Sequence, residues 1–254
     1  MLDRPNAEMP VAPYPVRVVG RMDPQLSRGL WLIKWLLLVP HIIVLIGLWI
    51  AFVVLTVVAW VAILATGRYP KGIFEFNLGV FRWTWRVSFY GYSALGTDRY
   101  PPFTLADVPD YPARLDIDYP EHLSRGLALV KTWLLAIPHY VVLGFFVGGA
   151  GSAAWRYSEA APVSAGGGLV ALLAIFAGIV LLVRGHYPRG IFDVVLGMDR
   201  WAIRVVAYAA LMTDVYPPFR LDQGGSEPSP PTPPDGPLSS GTSGTIQTPP
   251  LVPA

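Results

Sequence analysis

The side chains best equipped for chemistry in this chain come in matched sets. Lys34 and His41 recur as Lys131 and His139, each histidine directly after a proline, and the arginine pair Arg82/Arg86 recurs as Arg200/Arg204. A lysine and a histidine inside a membrane make a candidate intramembrane polar site for a proton relay or transport, because ionisable groups at that depth are functional by default. The blander role for Pro-His in a helix is structural, with the imidazole bonding the carbonyl that proline frees. Arginine pairs present planar forks suited to phosphate, which fits an anionic lipid headgroup or the acidic segment of a partner. Plain anchoring at the membrane surface accounts for them too, and Glu75 or Asp193, two turns earlier, offers an intramolecular counter-charge.

His186, Glu75 and Asp193 complete the reactive inventory. The chain holds 4 histidines, not at ligand spacing, and no cysteine, and it lacks any HExxH, GxSxG or P-loop pattern. No catalytic residue, metal site or cofactor is expected, and the chain reads as a non-enzyme. Asp98 and Asp214, each in a Thr-Asp before YPPF, read as turn or helix-end caps.

These residues belong to a chain of 254 that is 53% hydrophobic and 14% charged, with a mean hydropathy of +0.46, a composition that points to a membrane protein. A formal charge of +2 gives no basic field for nucleic acid. The first 25 residues are polar and Pro-rich, unlike a secretory signal.

An internal repeat organises the chain. One copy runs from Tyr14 to Phe103 and the other from Tyr111 to Phe219, each with YP, LSRGL, a lysine, PH, GxYPxGIF, an RW pair with a second arginine four residues on, and TDxYPPF. The boundaries follow: a flexible N-terminus over 1–13, repeats over 14–105 and 111–221, a linker over 106–110, and a tail over 222–254.

Copy two carries about twenty additional residues, including the polar stretch 155–168, where copy one is continuously apolar. Insertions are expelled from the hydrocarbon, so the insert is expected to mark a turn in both copies. Each copy then forms a transmembrane hairpin, with spans near 29–48 and 49–66, and near 126–150 and 166–183. These lengths match a core about 30 Å thick. Pro40 and Pro138 should kink the first spans, Lys34 and Lys131 should snorkel, and Gly47, Gly144, Gly148, Gly149 and Gly178 should allow close helix packing. With the hairpin tips outside, every lysine and arginine except Arg156 falls on or snorkels toward one side, which places both termini in the cytoplasm of a cell bounded by an inner membrane.

The apolar stretches 72–96 and 190–212 carry Glu75, Arg82 and Arg86, or Asp193, Arg200 and Arg204, on one helical face. They are expected as interfacial amphipathic helices, with Trp83, Trp85 and Trp201 at headgroup level. YPVRVV, YPPFTL, YPARLDI and YPPFRL alternate like short edge strands. The tail from Asp222 is rich in Pro, Gly, Ser and Thr and is expected to be disordered, with Ser229, Thr232 and Thr248 each before a proline and a polyproline stretch that offers a partner a docking segment. The fold class is therefore an all-α integral membrane protein of two tandem repeats with short edge strands.

YPxR, LSRxLxLxKWLLxxPH, GRYPKGIFEF, FRWTWRV and TDRYPPF together resemble a bacterial membrane-protein family known as domain of unknown function 4389, here in two copies covering 14–105 and 111–221. The resemblance implies a membrane location and transfers no functional residues. Copy two departs from the fuller pattern, with Asp199, Ile203 and His186 at the places of Phe81, Trp85 and Arg68. The expected role is a non-enzymatic scaffold or accessory subunit with membrane lipids and a membrane protein as partners. The alternative is a small transporter or lipid-handling protein with a polar site between the two hairpins.

Overall fold

A computed structural model describes residues 14–146 and 168–222. The expected flexible N-terminus, the insert with Arg156, Gly148 and Gly149, and the tail beyond Asp222 lie outside the described residues. The element order is β1 (Val16–Gly20), α1 (Trp31–Thr66), α2 (Lys71–Gly91), β2 (Ala113–Ile117), α3 (Arg125–Val130), a π-helical turn (Lys131–Leu135), α4 (Ile137–Phe146), α5 (Leu169–Arg184) and α6 (Arg189–Ala209). The fold is mostly α-helical, as expected.

α1 corrects the expected hairpin of copy one. It is a single helix of 36 residues with Pro40 inside it, so the spans 29–48 and 49–66 are one element without a turn. The physical reason lies in copy one's own residues: no Asn, Asp or Gly-Pro signal stands between Gly47 and Gly67, while a long apolar run favours continued hydrogen bonding. The helix stops at Gly67, whose left-handed φ of 73° lets its amide close onto the Ile63 carbonyl at 2.7 Å. Gly185 ends α5 in the same way, at φ 74°.

At 1.5 Å per residue α1 is about 54 Å long. It buries one seam, Lys34, Leu38, His41, Leu45, Phe52, Ala59 and Ile63, and leaves large apolar side chains exposed around most of its circumference, among them Leu36, Ile43, Ile50, Val54 and Val61. α1 is long and apolar enough to cross a membrane. The bent pair formed by Arg125–Leu135 and Ile137–Phe146 raises the number of such segments to two.

Copy two handles its first helix differently. His41 follows Lys34 by seven positions, but His139 follows Lys131 by eight. The extra residue is absorbed by the π-helical turn Lys131–Leu135, the usual way a helix accommodates one insertion. A 44° bend follows, and Pro138 falls in the first turn of α4, where its missing amide costs little.

The two copies pack head to tail. The Trp31 ring at the start of α1 covers Gly178 of α5, and at its far end Trp60 donates to the Ala128 carbonyl of α3 at 2.9 Å. α2 folds back along α1: Phe81 packs on Trp49 and Phe52 at mid-helix, and Asn77 donates to Thr56. The real hairpin in copy one is therefore α1 with α2.

α2 and α6 occupy the expected stretches but do not expose the expected aromatic belt. Trp83, Trp85 and Trp201 are buried in the protein core, held between the long helices and a two-stranded sheet. β1 of copy one pairs antiparallel with β2 of copy two, with Val18 opposite Leu115. YPPFTL and YPPFRL, also expected as strands, bend tightly outside the sheet, with the Thr104 amide bonding the Pro102 carbonyl and the Arg220 amide that of Pro218. Pro prevents them from donating to a ladder.

Candidate functional site

The repeated motifs meet each other within each copy. In copy one, the Lys34 ammonium is buried and reaches the Asp98 carboxylate at 2.9 Å and the Thr97 carbonyl at 2.6 Å, with the Tyr90 ring 4.7 Å away. Asp98 also accepts the Ser27 amide of LSRGL at 2.6 Å. Burial works to raise the Asp98 carboxyl, but the bonds from Lys34 and Ser27 outweigh it and hold the group below its ordinary range.

Copy two repeats this contact for contact. Lys131 pairs with Asp214 at 2.7 Å and donates to the Thr213 carbonyl at 3.0 Å, Tyr208 lies 5.3 Å from the ammonium, and the Ser124 amide bonds Asp214 at 2.7 Å. The Thr-Asp residues, expected as simple caps, instead hold the Ser27 and Ser124 amides ahead of the helices, since α1 has no side-chain cap and α3 is capped by Ser124 itself, and they serve as counter-ions for the buried lysines. Neither lysine snorkels to the surface.

The Pro-His pairs dock on YPPF. His41 stacks on Phe103 at 3.9 Å and 12°, and His139 stacks on Phe219 at 4.2 Å and 11°. Trp83 donates to His41 Nδ1 at 3.0 Å, so the neutral ring carries its proton on Nε2. His41 Nε2 and both His139 nitrogens have no hydrogen-bond partner among the described residues. The imidazoles therefore do not serve the proline-freed carbonyls as expected. Tyrosines of YPPF bind close by: Tyr100 donates to the Leu37 carbonyl at 3.0 Å and Tyr216 to that of Leu135 at 3.3 Å.

Lys34, His41, Lys131 and His139, expected as one polar site, are separated into two latches. Thr132, next to Lys131, shares a pocket with Thr56 and Trp60, which lie roughly 33–39 Å along α1 from Lys34. The head-to-tail packing of the copies is the cause.

The arginine pairs also turn inward. Arg82 donates from Nε to the Leu115 carbonyl at 3.0 Å and binds Asp116 at 2.9 Å, while Arg200 donates from Nε to the Val18 carbonyl at 2.8 Å. Leu115 and Val18 face each other in the sheet, so each copy's arginine grips the other copy's strand. Arg86 donates to the carbonyls of Ala106 and Thr104, and Arg204 pairs with Asp222 at 2.6 Å. Asp222, placed by its sequence in the tail, is thus a buried part of the second repeat. Arg86, Arg200 and Arg204 are almost fully buried, so as headgroup contacts they are superseded by bonds within the chain. Glu75 and Asp193 form no ion pair with them among the described residues.

Asp199, at the place of Phe81, stands beside Ser93, and burial pushes its carboxyl up to about 7 while the Ser93 hydroxyl restrains the rise. Trp85 donates to the Val19 carbonyl at 3.1 Å, a bond that Ile203 cannot make in copy two. Sequence reasoning missed the receiving half of each latch, Tyr100, Phe103, Tyr216 and Phe219. Their retention in both copies was the available signal. Among the described residues no cluster of three or more His, Asp or Glu could hold a metal ion.

The chain matches the family described as domain of unknown function (DUF4389) at two separate stretches, residues 28–104 and 162–220. No curated protein and no solved structure matches it. The matched stretches together span more than half of the chain and contain the lysine, Pro-His, RW and TDxYPPF residues of copy one and the RW and TDxYPPF residues of copy two. The chain belongs to the DUF4389 family and carries its domain twice.

Proposed function

We propose that this protein is a non-enzymatic scaffold or accessory subunit embedded in the cytoplasmic membrane, with both termini on the cytoplasmic side. One observation carries the reading. The reactive side chains of the repeated motifs are spent on latches inside the fold, while the apolar side chains of α1, α4 and α5 remain exposed. A surface of that kind has lipid or an apolar partner helix as its natural solvent. The polar site expected of a transporter is divided between two places, which favours the scaffold over the carrier.

The experiment is fractionation followed by purification in mild detergent. Resistance to high salt and alkaline carbonate, with release by detergent, is the expected result for an embedded protein, and a stoichiometric co-purifying protein is expected for a scaffold. Release by carbonate would overturn the membrane placement. A bound small molecule in place of a protein would overturn the scaffold.

A further inference from the structure

The direction of the pseudo-twofold axis carries a second conclusion, which rests on the membrane-embedded reading. Val18 and Leu115 hold equivalent places in YPVRV and YPARL and sit opposite each other at the centre of the antiparallel β1–β2 pair, so the axis relating the two copies passes through that pair. That pair sits at the mid-length of α1: Arg82 binds Leu115, and its neighbour Phe81 packs on Trp49 and Phe52. The sheet's outer face carries Arg17, Asp116 and Asp118 in an ion-paired group that is about half exposed. Were α1 aligned with the membrane normal, these charges would lie near the bilayer centre, where they are costly. α1 would also be far longer than the hydrocarbon core. With the axis along the normal both difficulties vanish, since the sheet faces water and the long helices lie in the membrane plane.

The two ends of the apolar layer are basic. At one end Arg28 lies over the glycine turn that closes α5, where a Cβ on Gly185 would come within 2.6 Å of its guanidinium, and Arg184 and Arg189 flank that turn. At the other, Arg125 Nε lies 3.7 Å from the same position on Gly67, between Arg68 and Lys71. All six are exposed, and none has an acidic side chain within ion-pair distance among the described residues. Glu75 on α2 and Asp193 on α6, each one turn onward, offset part of the charge. Each LSRGL arginine therefore meets the basic residues of the other copy's GxYPxG turn.

We propose that the molecule docks into a single leaflet, with α1, α4 and α5 among the acyl chains and the two basic clusters seated on the phosphates of anionic lipids. Charge complementarity and continuity with the apolar face identify the occupant as an anionic membrane surface.

The test has two parts and uses the full chain, which contains no cysteine and so accepts single labels cleanly. Gly29→Cys and Gly126→Cys mark the two LSRGL motifs, where a Cβ meets nothing closer than 3.9 Å. In inside-out and right-side-out membrane vesicles, a membrane-impermeant maleimide is expected to label both positions from the same side. Labelling from opposite sides would show that α1 crosses and would overturn the proposal, while the membrane-embedded reading would survive. The second part is reconstitution in phosphatidylcholine with one-fifth phosphatidylglycerol, read by mass spectrometry of retained lipids. Wild type is expected to raise the ratio of phosphatidylglycerol to phosphatidylcholine among retained lipids at least fivefold over that of the bulk. The variant with Gln at Arg28, Arg68, Lys71, Arg125, Arg184 and Arg189 is expected to insert normally and retain lipids in bulk proportion. Equal retention by the two proteins would reject the phosphate sites, and carbonate release of wild type would reject the embedded reading itself.

Discussion

The π-helical turn of copy two predicts a pair of deletions with opposite outcomes. Removing Thr132 leaves KWLLAIPH, nearly identical to KWLLLVPH of copy one, and should convert the turn to α-helix while His139 stays on Phe219. The side chain lost is exposed and makes one hydrogen bond, to the Ala209 carbonyl at 3.0 Å, worth about 1 kcal/mol. Removing Trp35 from copy one has no such reserve. The side chain is half-exposed, but its loss turns His41 by about 100° and shifts it about 1.5 Å relative to Lys34. The Trp83–His41 bond and the Phe103 stack go together, and a buried Trp83 donor is left unpaired. Unpairing and stacking losses amount to about 2–5 kcal/mol. For a domain of this size that corresponds to a fall of roughly 5–20 °C in Tm. Thermal unfolding in mild detergent, followed by circular dichroism and tryptophan fluorescence, measures both. A Thr132 deletion as damaging as the Trp35 deletion would refute the idea that the π turn exists to keep lysine and histidine in register.

Three further outcomes are expected. Lys34→Met or Asp98→Asn alone should each destabilise by about 3–5 kcal/mol by leaving a buried partner uncompensated, and the double variant should cost less than the two losses combined, as a double-mutant cycle on Tm will show. Gly79→Ala should destabilise by about 1–3 kcal/mol because its Cβ would lie 2.8 Å from Leu105 Cβ and 3.0 Å from the Leu105 carbonyl. Gly197→Ala, whose nearest contact is 3.4 Å, should be neutral or stabilising in the same melts. Asp199, whose folded pKa is raised to about 7, binds its proton more tightly folded than unfolded, so its contribution is intact below about pH 4 and is lost as pH rises from there to about 7. Asp199→Asn should remove that slope from a Tm-against-pH curve, and an unchanged slope would assign it elsewhere.

The legible parts of this fold were those encoded by periodicity and repetition. The stretches 72–96 and 190–212 emerged as α2 and α6 because their polar and apolar faces alternate at helical spacing, and YPVRVV and YPARLDI emerged as strands. Periodicity identifies a polar face without naming what it faces. Arg82 and Arg200 share the polar face that suggests lipid headgroups, whereas they meet backbone carbonyls of the opposite copy, contacts between residues 33 and 182 positions apart. The turn assigned near residue 48 failed for a different reason. An insertion shows that a break is tolerated in the copy that carries it, and α1 shows that the other copy can bridge the same place with unbroken hydrogen bonds. The latch partners escaped because TDxYPPF looks like a loop, and its value lies in where α2 and α6 return it.

The crossed grip of strands and arginines has a consequence for ancestry. Neither half can be completed from its own residues: a lone copy would have an unpaired strand, an arginine without its carbonyl, and an LSRGL arginine with no glycine turn to cover. A chain with one copy would satisfy all of these only by meeting a second, identical chain around a true dyad. The present molecule has the arrangement of such a dimer within one chain, and a single chain frees each half from having to match the other. Asp199 at the place of Phe81 and the extra residue before His139 are changes that an exact homodimer would have had to make twice.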